Sequence, residues 1–208
     1  MNNKQNQQKI LAVLAETYPD AKPELHFTNP YETLVATMLS AQSTDKQVNK
    51  VTPAVFRDFP TVQSMAETEP EILFPYVKSC GFRSKATNIV MAARKIMQDF
   101  GGQVPDDLES LMSLPGVGRK TADVVLANAF HIPTIAVDTH VFRVSNRLGL
   151  AEANDVLKTE LQLMEVIPKK DWIDAHHWLI WHGRRVCKAR RPLCENCPLS
   201  ALCPSSEV

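Results

Sequence analysis

The amino-acid sequence predicts an all-α protein. Apolar residues recur at helical spacing along almost the whole chain, and no stretch shows the sustained apolar and polar alternation of a half-buried strand. Residues that can cap a helix N-terminus also stand directly before several apolar runs. The 208 residues, 44% hydrophobic and 22% charged, have the composition of a folded globular protein with one large or two small domains.

The first predicted helix covers about 5–17. Asn29-Pro30-Tyr31-Glu32 combines an N-cap, a first-turn proline and an acidic third position, and it predicts a helix start near 30. Thr44-Asp45-Lys46-Gln47 has the form of a capping box and predicts a second start near 45. A further helix is predicted at about 69–79.

Cap signals also delimit the helices of the second half of the chain. Ser84 can cap a run that stops at Gly101-Gly102, and Asp106-Asp107-Leu108-Glu109 predicts a start near 107. Asp138 can cap a run that stops at Gly149. The remaining predicted helices cover about 119–130, 155–166 and 172–182.

Charge and hydropathy narrow the classes of function. Lys and Arg total 23 and Asp and Glu total 23, so the formal net charge is zero, which taken alone argues against a nucleic-acid binder. No apolar run approaches the ~18 residues that a membrane span needs. The segment Met1 to Lys9 is polar and lacks an apolar signal core, so we expect a cytoplasmic protein without a membrane partner.

Four of the five cysteines, Cys187, Cys194, Cys197 and Cys203, cluster near the C-terminus. Clustered thiols in a chain without a secretion signal favour a metal site over disulfides. Structural zinc sites commonly use two Cys-x2-Cys pairs, whereas only Cys194 and Cys197 form one here, so zinc and an iron–sulfur cluster both stay open.

A basic run accompanies the cysteines. Between Gly183 and Leu193 the chain carries five cations and no acidic residue: Arg184, Arg185, Lys188, Arg190 and Arg191. Such a run is often a solvated face. Because three of the cations lie between the ligand candidates Cys187 and Cys194, we expect them to form a fixed basic patch suited to phosphates.

The loop Leu114-Pro115-Gly116-Val117-Gly118-Arg119-Lys120-Thr121 joins two predicted helices. Its two glycines allow a tight turn and a close approach of backbone N–H groups to an anion, and the following helix points its positive end the same way. The loop is therefore a candidate phosphate cradle, although an ordinary helix–helix turn has the same pattern.

This loop resembles the helix-hairpin-helix signature of the endonuclease III family of DNA repair glycosylases. The resemblance continues through Val137–Val144, through Leu39–Asp45 and in the C-x6-C-x2-C-x5-C spacing, which is that family's four-iron, four-sulfur ligand pattern. It implies an all-α, two-domain helix-hairpin-helix glycosylase fold. One domain would be a helical bundle at 24–132 with the hairpin at about 107–130, and the other would combine 1–23 with 133–208.

The resemblance also implies the chemistry. Lys120 would attack the sugar C1′ of a damaged nucleotide, expel the base and form a Schiff base, after which elimination breaks the strand on the 3′ side. Burial and the helix N-terminus would both favour the neutral amine that this attack requires. Asp138 would stabilise positive charge on the sugar while it caps its helix, and Gln42 would fill the space that the extruded base leaves.

The implied activity is that of a bifunctional glycosylase and abasic-site lyase for oxidised pyrimidines, acting as a monomer on double-stranded DNA with damaged bases or abasic sites. DNA contacts are expected from the hairpin at Gly116, Val117, Gly118, Arg119 and Thr121, and from the basic run at Arg184, Lys188, Arg190 and Arg191. Contact by Ser84 and Lys85 stays open. The alternatives are a non-catalytic DNA-binding module with a structural metal, an electron carrier and an adenine-mismatch glycosylase.

Overall fold

The computed structural model describes residues 3–208, and every regular element in this range is a helix, which confirms the predicted all-α class. The α-helices are, in chain order, α1 (Asn3–Thr17), α2 (Pro30–Ser40), α3 (Asp45–Asp58), α4 (Val62–Ala66), α5 (Pro70–Val77), α6 (Arg83–Asp99), α7 (Leu108–Met112), α8 (Arg119–Phe130), α9 (Thr139–Arg147), α10 (Val156–Val166) and α11 (Trp172–Arg185). Short 3₁₀ helices cover Lys78–Cys80, Lys169–Asp171 and Cys194–Asn196.

The chain divides into two compact units. One unit is Pro23–Ile132, and the other combines the chain up to Lys22 with Pro133–Val208. Each unit has a separate apolar core, the first built from α2 to α8 and the second from α1 and α9 to α11. The chain thus leaves the second unit after α1 and returns to it before α9.

Side-chain caps set most helix starts where the sequence predicts them. The Asn29 side chain accepts the Glu32 N–H at 2.9 Å and begins α2, and the Thr44 hydroxyl accepts the Gln47 N–H at 3.2 Å and begins α3. The Gln47 side chain donates to Ser79 Oγ at 2.7 Å, so the predicted capping box is only half formed. Asp155 caps α10 in the same way, through the Lys158 N–H at 2.8 Å.

Two details of the predicted helices are wrong, and a third agrees with the structure. The helix predicted from Ser84 begins at Arg83, because Gly81 (φ 122°) turns the chain one residue before the N-cap Phe82. The helix predicted to start near 107 begins at Leu108, and the Asp107 carboxylate caps it by accepting the Ser110 N–H at 2.8 Å. Helix α4 was not predicted, since its five residues are too short for a periodic signal, although Thr61 and Ser64 cap it reciprocally.

Helix α2 is the centre of the unit Pro23–Ile132. Eight of its eleven residues are buried, and α3, α6 and α8 pack around it. A helix that is apolar on all sides must be enclosed by other elements, because each exposed apolar side chain would forfeit about 1.5–3 kcal/mol of burial free energy. The position of α2 therefore decides where α8 and the loop after Ser40 lie.

The other unit is organised by the contact of α9 with α11, against which α1 also packs. Gly183 lies at this contact, where an added Cβ would come within 3.0 Å of the Val144 side chain and 3.1 Å of His140. The absence of a side chain at Gly183 therefore permits the close approach of the two helices. None of the helices in residues 3–208 combines the length and the apolar character of a membrane span.

Candidate active site and nucleic-acid interface

The hairpin between α7 and α8 is anchored to the apolar core by two buried side chains. Leu114 and Val117 are 2% and 6% exposed, and the Val117 N–H donates to the Leu114 carbonyl at 3.1 Å. Val117 therefore supports the turn internally, and its backbone N–H is already paired. The amides that remain for a ligand belong to its neighbours.

Gly116 and Gly118 serve different purposes. Gly116 has a φ of 76°, and an added Cβ would lie 2.7 Å from Asn88, so both the backbone conformation and the space exclude a side chain. Gly118 has an ordinary φ of −93°, and an added Cβ would meet no atom within 4 Å. The protein itself does not require a glycine at position 118, so its missing side chain leaves room on the solvent side of the turn.

The N-terminus of α8 carries unpaired backbone donors. Gly118 is the N-cap and offers no side-chain cap, and among residues 3–208 the N–H groups of Gly118 and Lys120 donate no hydrogen bond. These donors and the positive end of the helix dipole form a site for an anion such as a phosphate. Arg119 and Thr121, also predicted as contacts, are partly exposed beside them.

Lys120 lies on the first turn of α8 with an exposed side chain. The burial that the sequence interpretation invoked to favour its neutral amine is therefore absent from the protein alone. Any exclusion of water from this amine must come from the bound substrate.

Gln42 follows α2 in the connection to α3. It is exposed and has a φ of 56°, a left-handed conformation that costs a non-glycine residue about 1 kcal/mol. Strained backbone of this kind concentrates at sites that work on ligands. The exposed side chain and the strained backbone agree with a side chain held ready for insertion.

Asp138 caps α9 through only one of its oxygens. Oδ1 accepts the N–H groups of His140 and Val141, both at 2.8 Å. Its other oxygen, Oδ2, accepts no hydrogen bond from the described part of the chain, and the side chain is half-buried. Capping therefore holds the carboxylate rigidly while it leaves one oxygen for a substrate or a proton.

The four clustered cysteines line one cavity, as the sequence predicts for a shared metal site. Burial raises the pKa of the Cys197 and Cys203 thiols, and the neighbouring cysteines contribute in the same direction. Within residues 3–208, no three His, Cys, Asp or Glu side chains converge closely enough to hold a single metal ion. Four thiolates are the donor set of a four-iron, four-sulfur cluster, so the residues that line this cavity fit that group.

Two arginines that the sequence interpretation missed hold the start of this loop. Arg143 Nη2 donates to the carbonyls of Gly183 and Cys187, both at 3.0 Å. Arg147 donates to the carbonyls of Lys188 at 2.7 Å and Ala189 at 3.1 Å. The two lie four residues apart on α9 and therefore share a face, a spacing that is visible in the sequence.

The cations of the basic run divide by environment. Lys188, Arg190 and Arg191 are exposed, and Arg191 has a left-handed φ of 53°. Arg185 stacks on Trp181 at 3.7 Å from the ring centroid, and Arg184 is only partly exposed. The surface available to phosphates is therefore the segment from Lys188 to Arg191, whose backbone Arg147 holds.

Comparison with known proteins agrees with this arrangement. Residues 35–169 match the HhH-GPD superfamily of base excision DNA repair proteins, and residues 187–203 match the iron–sulfur binding domain of endonuclease III. Endonuclease III of Synechocystis sp. is 48% identical over 100% of this chain and 95% of its own length. Endonuclease III of Escherichia coli K12 is 45% identical over 99% and 98%.

Solved structures show the same similarity. A trapped endonuclease III–DNA covalent intermediate superposes with a TM-score of 0.94 at 45% identity, over 99% of this chain and 98% of that one. A thermostable thymine-DNA glycosylase has a TM-score of 0.88 at 24% identity, over 98% and 97%, and so shares the fold.

The two hairpin glycines give a direct test of the phosphate cradle. We expect Gly116→Ala to lower the thermal unfolding midpoint, since it brings both strain and a clash with Asn88. We expect Gly118→Ala to leave the unfolding midpoint unchanged and to weaken binding of abasic duplex, because the new methyl group stands in the path of the phosphate. Equal DNA affinity for Gly118→Ala and the parent protein would contradict the cradle.

Proposed function

Because this chain belongs to the endonuclease III family, within the HhH-GPD superfamily of base excision DNA repair proteins, we propose that it removes oxidised pyrimidines from duplex DNA and cleaves the strand at the resulting abasic site. It is a DNA glycosylase and abasic-site lyase with a four-iron, four-sulfur cluster. The observation that carries the proposal is the exposed Lys120 amine at the helix terminus of the hairpin, directly beside unpaired backbone N–H groups.

Lys120 acts as the nucleophile in this proposal. Its neutral amine forms a bond to C1′ while the bond from C1′ to the base breaks, and the base leaves with that electron pair and takes up a proton. Opening of the sugar ring gives a Schiff base between Lys120 and C1′. Loss of a C2′ proton then expels the 3′ phosphate, which breaks the strand. The backbone N–H groups of Gly118 and Lys120 would hold a phosphate of the same strand next to this amine.

Asp138 supplies the negative charge. As the base leaves, positive charge grows on the sugar, and a carboxylate with one uncommitted oxygen stabilises it. The same oxygen can accept a proton during formation of the Schiff base. Because Oδ1 is fixed by two helix N–H groups, the carboxylate needs no reorganisation for this work.

Gln42 would occupy the space vacated by the extruded base. An amide side chain offers both donors and acceptors, so it can hydrogen-bond the base that has lost its partner. Base extrusion costs a few kcal/mol, and the inserted side chain recovers part of that cost.

Cys187, Cys194, Cys197 and Cys203 would hold the cluster. When bound, the cluster would cross-link the loop through these four thiolates, and base removal needs no redox step. What this chain contributes is the fixed path of the backbone from Lys188 to Arg191, which Arg147 also restrains. Lys188, Arg190 and Arg191 then face DNA phosphates as one rigid group.

The alternative functions receive less support. A non-catalytic DNA-binding module has no use for an exposed lysine at a helix terminus and a carboxylate with a free oxygen. Adenine-mismatch glycosylases resemble this chain in fold but lack the lysine. We further propose that the protein acts as a monomer, since one chain supplies all these groups, and that it works in the cytoplasm, associated with the nucleoid in a bacterial host.

Lys120→Ala is expected to abolish the enzyme–DNA adduct that borohydride traps on a thymine glycol duplex, because no other residue is assigned as the nucleophile. Gel electrophoresis of the trapped adduct measures this outcome. Lys170→Ala, at an exposed lysine in a short 3₁₀ helix, serves as the control and should trap normally. Undiminished trapping by Lys120→Ala would remove Lys120 from the proposed role.

Asp138→Asn separates catalysis from capping, since asparagine caps a helix about as well as aspartate. We expect an unchanged unfolding midpoint, nearly unchanged DNA affinity and a base-release rate at least about 100-fold slower, the scale typical for removal of one electrostatic group. Single-turnover kinetics measures the rate. A parental rate would show that Asp138 only caps α9.

Arg190→Ala is expected to reduce the slope of log binding constant against log salt concentration by about one, since one phosphate contact is lost. Arg57→Ala is the matched control, because the Arg57 guanidinium is already paired with Asp58 at 2.7 Å. Binding titrations over a range of salt concentrations give both slopes. An identical slope for Arg190→Ala and the parent would exclude a phosphate contact at this position.

A further inference from the structure

Lys85 is a lysine whose ammonium is turned into the protein. It is the third residue of α6, and its Nζ donates to the carbonyls of Leu39 at 2.8 Å and Cys80 at 2.5 Å. The side chain is partly buried, and this burial lowers the pKa of Lys85 below its ordinary value. The Lys85 ammonium is thus engaged with the protein's own backbone carbonyls.

The two carbonyls share one structural property, since both lie at the C-terminal end of a helix. Leu39 is the last residue but one of α2, and Cys80 is the last residue of the 3₁₀ helix Lys78–Cys80. The final carbonyls of a helix lack partners within that helix and carry the negative end of its dipole. One ammonium therefore caps two helix ends and joins them.

Each of these helix ends leads directly into an unusual backbone conformation. After α2 the chain reaches Gln42 at φ 56°, and after the 3₁₀ helix it reaches Gly81 at φ 122°. Gly81 is followed by Phe82, whose 70% exposure is high for so large an apolar side chain. Lys85 thus holds the starting points of two adjacent loops that carry positive-φ backbone and exposed side chains.

Few other contacts hold the loop of Gln42. The Ser43 N–H donates to the Ser40 carbonyl at 3.0 Å, and among residues 3–208 the Gln42 side chain makes no hydrogen bond. Gln47 Nε2 donates to Ser79 Oγ at 2.7 Å and gives a second link between the same two segments. The direction of the Gln42 side chain therefore depends on the backbone that Lys85 fixes.

We propose that Lys85 is a positioning residue for base extrusion, which holds Gln42 in its left-handed conformation by joining the ends of α2 and the 3₁₀ helix. This inference rests on the insertion role proposed above for Gln42. It predicts that loss of the Lys85 ammonium slows base release most, because that step requires insertion of the Gln42 side chain. A preformed abasic site has no base to extrude, so cleavage there depends less on Gln42.

Lys85→Met keeps the apolar stem of the side chain and removes the donor. We expect the single-turnover rate of base release from a thymine glycol duplex to fall by about tenfold or more, because small errors in position near reacting groups slow a reaction. Cleavage of a preformed abasic duplex should fall by a much smaller factor. Lys95→Met is the control, because Lys95 lies on the same helix and forms a surface ion pair with Asp99, so both rates should stay at the parental value.

A double-mutant cycle with Gln42→Ala tests whether Lys85 acts through Gln42. We expect the combined variant to release the base about as slowly as Gln42→Ala alone. Parental base release by Lys85→Met, equal losses on both duplexes or full additivity with Gln42→Ala would each overturn the inference. Parental base release by Gln42→Ala would instead reject the proposed role of Gln42.

Lys85→Arg and Lys85→Gln extend the test if Lys85→Met does not fold. Arginine keeps the cation, so we expect it to restore the ratio of base release to abasic cleavage more fully than glutamine, which keeps an uncharged amide donor group. Thermal unfolding midpoints of all variants show whether the ratio of base release to abasic cleavage changes with the stability of the variant. If the ratio follows stability alone and not the donor at position 85, the positioning role is wrong.

Discussion

The enclosure of α2 is the constraint on which the rest of the catalytic unit depends. Its buried side chains hold it between α3, α6 and α8, so neither of its ends can move without opening the core. Helix α8 packs against the side of α2 and carries Lys120 in its first turn. The loop that follows the C-terminus of α2 carries Gln42. The proposed nucleophile and the proposed insertion residue, 78 positions apart in numbering, are thus set by one apolar helix. Rigid packing of this kind is what allows exposed, strained residues to keep a defined direction.

Cationic side chains that turn inward are a feature of both units. Lys85 in one unit and Arg143 and Arg147 in the other all donate to backbone carbonyls at the ends of helices or in loops. Their N–H donors are bound to backbone carbonyls inside the protein, so these charges count in the total without marking a surface for phosphates. The formal net charge of zero is therefore a poor guide to DNA binding. What matters is the local surface from Lys188 to Arg191 and the uncharged amides at the start of α8.

Much of the site could be predicted because its signals are local in sequence. Asn29, Thr44, Asp138 and Asp155 cap the helices that follow them, and a side chain two or three residues from an amide reaches it whatever the rest of the chain does. Other features depended on neighbours that are remote in sequence. Helix α4 is too short to show a period, and Gly81 displaced the start of α6. The different reasons for Gly116 and Gly118 became visible only when Asn88 was placed against one of them.

Periodicity, caps and motif spacing are local in the chain, so they suffice to predict the all-α class, the hairpin, the cysteine cluster and the order of Gln42, Lys120 and Asp138. Packing is what exposes Lys120, leaves one oxygen of Asp138 free and turns Lys85, Arg143 and Arg147 toward carbonyls. Burial and hydrogen-bond partners are contributed by segments such as Leu39 and Cys80 for Lys85, which are 46 and 5 positions away. The sequence does not show whether a lysine side chain faces water or the end of a helix, and only packing distinguishes the two.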